Sequence, residues 1–189
     1  MGSDFVDFCP RFNATICEDI MDWDYKAAFP QDHFDFVWAS PDCTMFSIAR
    51  TRGGPRDLVK ATALVQRCLE IAGWFGCQWC LENPATGLLK HQPLMEDLCW
   101  VDTCYCKYGY PYRKATRLWH SFLFGHHFKP QTMCCKADPC AALTLAQRHP
   151  MRASYTQRHP AHAQRATFPQ VTATRKSSCT LCRRFCATK

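Results

Sequence analysis

Phe34-Asp35-Phe36-Val37-Trp38-Ala39-Ser40, then a patterned stretch from Asp57 to Gly76, then Cys77-Gln78-Trp79-Cys80-Leu81: these three segments decide the fold. The first is a short, nearly continuous apolar run rich in aromatic residues, which suits a strand buried on both faces. It stops at Pro41, and a loop follows through Gly53-Gly54-Pro55. From Asp57 the period changes. Leu58, Ala61, Leu64, Val65, Cys68, Ile71 and Trp74 recur at three and four residues, one face of an amphipathic helix, and Gly76 can end it. Cys77–Leu81 is a second strand, stopped by Glu82-Asn83-Pro84. Strand, crossover helix and strand make a βαβ unit, so the two strands should be parallel. Working outward, Ala14-Thr15-Ile16-Cys17 reads as one more short strand, ending at Glu18-Asp19-Ile20. Thr103–Lys107 and Thr116–Phe122 read as two further strands around a Gly109–Pro111 turn. The expected fold is a doubly wound α/β core on a mostly parallel sheet. Such sheets carry their ligand sites outside the carboxyl ends of the strands. Three strand ends here bear chemistry-capable residues: Asp19, Cys43 and Glu82. Any one of them is what a polar loop supplies by default. All three in register, with a helix-sized gap between Cys43 and Glu82, is a more specific pattern.

Length and composition fit one domain, or a domain plus a tail. The chain has 189 residues, 47% of them apolar, enough for a sizeable core. No apolar run reaches the roughly 18 residues that span a bilayer, so no membrane association is expected. The start lacks a basic stretch followed by an apolar one, so no secretory signal is visible and an intracellular location is expected, cytoplasm or nucleus being open. Residues 1–138 hold 14 basic and 16 acidic side chains, whereas residues 139–189 hold 9 basic and no acidic ones. This sets a near-neutral body, 1–138, apart from an irregular basic tail, 139–189. Within the tail Gln147-Arg148-His149-Pro150 recurs as Gln157-Arg158-His159-Pro160. An acid-free, Arg- and His-rich composition suits contact with phosphates, and it equally suits a solvated disordered tail. Fifteen cysteines invite disulfide or zinc readings. Most fall inside apolar elements and read as small buried hydrophobes in a reducing compartment. Cys179-x-x-Cys182-x-x-x-Cys186, with Cys134, Cys135 and Cys140, raises a structural zinc site, but paired knuckles of consistent spacing are lacking. No metal is expected.

Ser40-Pro41-Asp42-Cys43-Thr44-Met45-Phe46-Ser47 resembles the nucleophile loop of the cytosine-C5 DNA methyltransferases, written Pro-Pro-Cys-x-x-Phe-Ser. Glu82-Asn83-Pro84-Ala85-Thr86-Gly87 resembles their Glu-Asn-Val segment in its phage-type Glu-Asn-Pro form. Tyr108-Gly109-Tyr110-Pro111-Tyr112-Arg113-Lys114-Ala115-Thr116-Arg117-Leu118-Trp119 resembles the later arginine-bearing segment. Glu18-Asp19-Ile20 is similar to the family's Asp-Ile step beside the adenine of S-adenosylmethionine, and Val6-Asp7 to the strand whose acidic end holds the cofactor ribose. The four motifs stand in family order across about residues 5–125. Four ordered matches are far stronger than any one.

The resemblance implies a Rossmann-like core, S-adenosylmethionine as methyl donor and DNA as substrate. Cytosine C5 is a poor nucleophile, and the family adds a cysteine thiolate to C6 to load electron density onto C5. By position Cys43 is that nucleophile. Glu82 is the acid that relieves charge at N3, positioned by Asn83. Arg113 is the first match for a guanidinium near the base, with Arg117 second for substrate binding; the alignment slips by one residue there. Asp7, Asp19, Ile20 and Pro41 match cofactor-binding positions.

Three departures bear on activity. The resemblance starts near the family's second strand, so its first strand and glycine loop have no counterpart in the chain. Weak cofactor binding is expected of the chain by itself, with a partner chain as one source of the loop. Asp42 stands where the family has a second proline, and a carboxylate beside a thiol disfavours the thiolate. The stretch after the arginine segment looks unlike a folded target reader. Two readings stay open: a methyltransferase, or a catalytically inactive relative that binds nucleic acid.

Overall fold

The long helix expected after Asp57 forms as Leu58–Phe75, here α2. Asp57 caps its start, the carboxylate accepting from Lys60 N at 2.9 Å, and Gly76 ends it in the left-handed region at φ 60°. Ala61, Val65, Cys68, Ile71, Ala72 and Phe75 form its buried face. This computed structural model describes residues 3–7, 9, 13–108, 113–121, 130–131, 133 and 171–175.

Among the described residues, α2 is accompanied by six strands and one short α-helix, besides single 3-10 turns. They are β1 (Ser3–Val6), α1 (Tyr25–Ala28), β2 (Phe34–Ala39), β3 (Gln78–Pro84), β4 (Trp100–Cys104), β5 (Ala115–His120) and β6 (Val171–Arg175). The strands form one sheet in the order β1-β6-β2-β3-β5-β4. β2 and β3 pair in parallel, Phe36 opposite Gln78 and Ala39 opposite Leu81, as the βαβ reading requires. The core packs α2 on this pair, with Val37, Phe46, Val65, Ile71, Leu81 and Leu89 fully enclosed. An aromatic cluster extends it: the Phe34 ring meets Phe75 edge-on at 4.8 Å and Phe29 at 5.1 Å.

The expectation of a mostly parallel sheet is corrected. β1, β2, β3 and β4 run one way and β5 and β6 the other, so only the β2–β3 pairing is parallel. β5 slots between β3 and β4, and β6 between β1 and β2, antiparallel to both neighbours in each case. The structure is therefore a mixed α/β sheet.

Three smaller expectations also change. Ala14–Cys17 makes no strand; Ile16 forms a single bridge to Val6, fixed by Asp7 N donating to the Ile16 carbonyl at 3.1 Å. The stretch 103–107 is split, since β4 covers 100–104 and a single 3-10 turn covers Tyr105–Tyr108. A short apolar run such as Thr103-Cys104-Tyr105-Cys106 fits either conformation by periodicity alone. The Gly109–Pro111 turn lies outside the described residues. Finally, Val171–Arg175 falls in the segment read as an irregular tail, yet it is an interior strand. The remainder of 139–189, with its repeats and the cysteines at 140, 179, 182 and 186, lies outside the described residues, as do Cys134 and Cys135.

Candidate active site

β2 and β3 are adjacent and parallel, so the loops that leave their carboxyl ends lie side by side. One carries Cys43, the other Glu82 and Asn83. The β2 loop is built from its own side chains. The Trp38 indole N–H donates to Ser40 Oγ at 2.8 Å. Asp42 Oδ1 accepts from Thr44 N at 3.0 Å and from Thr44 Oγ1 at 2.6 Å, a local turn that fixes the backbone on both sides of Cys43. Phe46 N donates to the Cys43 carbonyl at 3.1 Å, and the Phe46 ring is fully buried beneath. Arg56 Nη1 donates to the Met45 carbonyl at 2.6 Å and closes the loop from the far side.

The two loops are bolted together. Asn83 Nδ2 donates to the Pro41 carbonyl at 3.1 Å, and Leu88 N to the Phe46 carbonyl at 2.8 Å. Gly87 sits where a Cβ would stand 3.1 Å from the Pro84 carbonyl oxygen and 3.3 Å from that of Phe46, so any larger residue would press on the backbone that joins the loops. Asn83 is 1% exposed, and its Oδ1 has no hydrogen-bond partner among the described residues.

Glu82 is 5% exposed. Lys114 Nζ donates to Glu82 Oε1 at 2.9 Å, and Tyr105 OH approaches the same oxygen at 3.4 Å. The Lys114 ammonium also lies over the Tyr105 ring, 4.6 Å from its centroid. Burial works against the charge on Lys114, but Glu82, Tyr105 and Cys43 together hold its pKa above the ordinary lysine value. Burial pushes the Cys43 thiol up, Asp42 and Glu82 push the same way, and Lys114 pulls it down. Cys43, Glu82 and Lys114 thus form one electrostatic unit: a shielded thiol, a carboxyl group and a cation that acts on both.

Arg113 is exposed, and its neighbour Lys114 holds the position on Glu82. Arg117 binds Asp102 through two hydrogen bonds of 2.7 and 2.8 Å and stacks on Trp100, 3.6 Å from the ring centroid. That cross-strand pair locks β4 to β5 and leaves Glu82 to Lys114. Sequence reading missed Lys114 and Tyr105. The signal was the one-residue slip in the motif, because neighbouring residues on an extended chain point to opposite sides.

Asp7 follows the carboxyl end of β1 and Pro41 that of β2, and Asp19 and Ile20 follow the Ile16 bridge to Val6. Val171 of β6 pairs with both Val6 and Ala39, so the ends of β1 and β2 lie two strand spacings apart, roughly 10 Å. Asp7 is buried, its carboxylate accepting from Cys9 N at 2.8 Å. Asp19 is exposed and accepts from Met21 N at 2.9 Å. The Ile20 side chain is in the core, and its carbonyl is held by Arg67 of α2 at 3.1 Å. No group of metal-ligating side chains occurs among the described residues. None of their helices is long and apolar enough to cross a membrane.

No family model matches the chain, and no solved structure matches it significantly. A Frog virus 3 (isolate Goorha) protein described as "Probable DNA (cytosine-5)-methyltransferase" is 36% identical over 135 residues, 65% of this chain and 60% of that protein. The chain thus spans less than two thirds of the relative's length. Similarity over that span and the ordered motifs agree: the chain is a homologue of a protein named as a cytosine-C5 DNA methyltransferase, and the resemblance to that family is borne out.

Proposed function

We propose that the chain is the catalytic part of a DNA cytosine-C5 methyltransferase with a Rossmann-like core, using S-adenosylmethionine and a covalent bond from Cys43 to cytosine C6. One observation carries the reading: Cys43 and Glu82 leave the ends of adjacent parallel strands, joined by the Asn83–Pro41 hydrogen bond and sharing the Lys114 cation. The Cys43 thiolate adds to C6 of a cytosine turned out of its helix. Negative charge then develops on the ring. Glu82 donates a proton or hydrogen bond to N3, and Lys114, bonded to the same carboxyl group, supplies the positive charge that stabilises the adduct. Asn83 holds the Pro41 carbonyl, and with it the Cys43 loop, in register with Glu82. Once C5 carries the methyl group, a base takes the C5 proton, N3 returns its proton to Glu82, and the Cys43 thiolate leaves, which restores the ring.

Asp7 and the Pro41 turn share the edge where Ile16 bridges Val6, Asp19 follows that bridge, and two carboxylates there suit the hydroxyl and amino groups of an adenosine. The described glycines, at 53, 54, 73, 76 and 87, do not form a glycine-rich turn at that edge. The fit therefore covers the nucleoside half of S-adenosylmethionine, and the methionine half needs contacts from outside the described residues, a partner chain being one source. The bound cofactor would supply the methyl group. DNA as partner is supported by the stretch from Thr44 to Arg56 beside the nucleophile, which carries Arg50, Arg52 and Arg56 and no acid.

The test is transfer of a labelled methyl group from S-adenosylmethionine to cytosine in DNA. Cys43→Ser should abolish it, and Glu82→Gln should slow it by about 10²–10⁴-fold. Methylation that survives Cys43→Ser would overturn the reading. A second reading, an inactive relative that binds DNA, draws on the raised pKa of Cys43. It predicts DNA binding with no transfer under any condition.

A further inference from the structure

Cys104 closes β4 and Cys106 lies on the 3-10 turn that follows; both are buried, and the Cys106 thiol donates to Cys104 Sγ at 3.1 Å. Residues two apart span at most about 6.8 Å between Cα atoms even when fully extended, inside the range a disulfide tolerates. Closing the bond needs an approach of about 1 Å between the sulfurs. Tyr105 is the residue enclosed by such a ring. Its backbone N–H donates to the Lys114 carbonyl at 3.1 Å, its hydroxyl reaches Glu82 at 3.4 Å, and its ring lies under the Lys114 ammonium. The sulfur pair therefore flanks an aromatic side chain that supports the Glu82–Lys114 corner.

We propose that Cys104 and Cys106 form a reversible disulfide that turns Tyr105 away from Glu82 and so reports the thiol redox state to the Cys43 site. The oxidant is a low-molecular-weight disulfide. One thiol loses its proton and attacks it, forming a mixed disulfide and releasing one small thiolate. The second cysteine then displaces the other small thiolate, forming the Cys104–Cys106 bond. Two protein thiols and one small disulfide become one protein disulfide and two small thiols. Cys106 becomes reachable by opening a single turn, a local event far smaller than unfolding. With Tyr105 displaced, Lys114 loses its aromatic support, its pull on the Cys43 thiol weakens, and the thiolate population falls.

The full chain should be equilibrated with oxidised or reduced glutathione, alkylated, and digested with trypsin. In the oxidised sample the peptide His91–Lys107 should keep Cys99 alkylated while Cys104 and Cys106 are joined. Iodoacetamide should label Cys43 about threefold more slowly or less in that sample, since thiol reactivity follows thiolate content. Cys104→Ala, and separately Cys106→Ala, should remove both effects; either variant that folds suffices. Cys104 and Cys106 that both remain alkylatable throughout the redox range would overturn the proposal. So would a Cys104–Cys106 disulfide that leaves the Cys43 rate unchanged.

Discussion

The Cys43 thiol is held back by its surroundings. Burial and the Asp42 carboxylate both keep its proton on, and Lys114 alone among the named neighbours opposes them. Its labelling by iodoacetamide should therefore keep rising with pH beyond the ordinary cysteine range, where an exposed thiol would already have levelled off. Asp42→Asn keeps a side-chain oxygen for Thr44 while removing the charge, so it should speed labelling at fixed pH. Asp42→Pro removes the charge and the turn together, and a rate below that of Asp42→Asn would show that the turn matters. Lys114→Met should act in the opposite direction, slowing labelling by about three- to tenfold, with Lys114→Arg restoring most of it. A Lys114→Met variant that labels as fast as the parent would contradict the electrostatic unit. Cys43 and Glu82 were legible as neighbours because each follows a strand-like run and precedes a break. Lys114 was not, because its place on Glu82 depends on which of two adjacent basic residues the chain turns inward.

At the scale of elements, the helix after Asp57 and the parallel pair β2–β3 were readable because one local pattern each defines them. A 3.6-residue stripe and two apolar runs leave little choice once joined by a crossover. β5 and β6 were beyond reach in direction and position, since pairing partners are set by contacts distant in sequence. The sharpest case is β6, whose Val-Thr-Ala-Thr-Arg sequence has no long apolar signature yet pairs with Asp4 and Val37 at Ala173. Ala173→Pro removes a ladder hydrogen bond from an interior strand and should cost about 3 kcal/mol or more in urea unfolding. An unchanged urea midpoint would show that this segment is outside the sheet. Gly87→Ala is a second test. Its Cβ would press on two backbone carbonyls that cannot rotate away, so a loss of about 1–3 kcal/mol is expected.

Among the described residues, the thiols of Cys68, Cys80, Cys104 and Cys106 are buried. Burial pushes the thiol pKa of Cys68 up to about 12, and burial with Glu82 does the same to Cys80. In the unfolded chain these thiols ionise near the ordinary value of 9.0, so from there up to about 12 the folded state binds more protons. Their contribution is thus fully present below pH 9 and is lost as pH rises through that window, by roughly 1.4 kcal/mol per pH unit for each thiol. Urea midpoints measured from pH 8 to 10.5 should fall, and less steeply in Cys68→Ala; equal slopes would contradict the burial. Function at this scale rests on one claim, that the ends of β2 and β3 present Cys43 to a cytosine ring. DNA carrying 5-fluorocytosine tests it most directly, because fluorine at C5 blocks the final proton loss and traps the thiolate adduct. With saturating S-adenosylmethionine, a denaturation-resistant protein–DNA adduct is expected that peptide mapping assigns to Cys43 and that Cys43→Ser abolishes. An adduct on any other thiol, or none from a chain that binds the DNA and the cofactor, would contradict it.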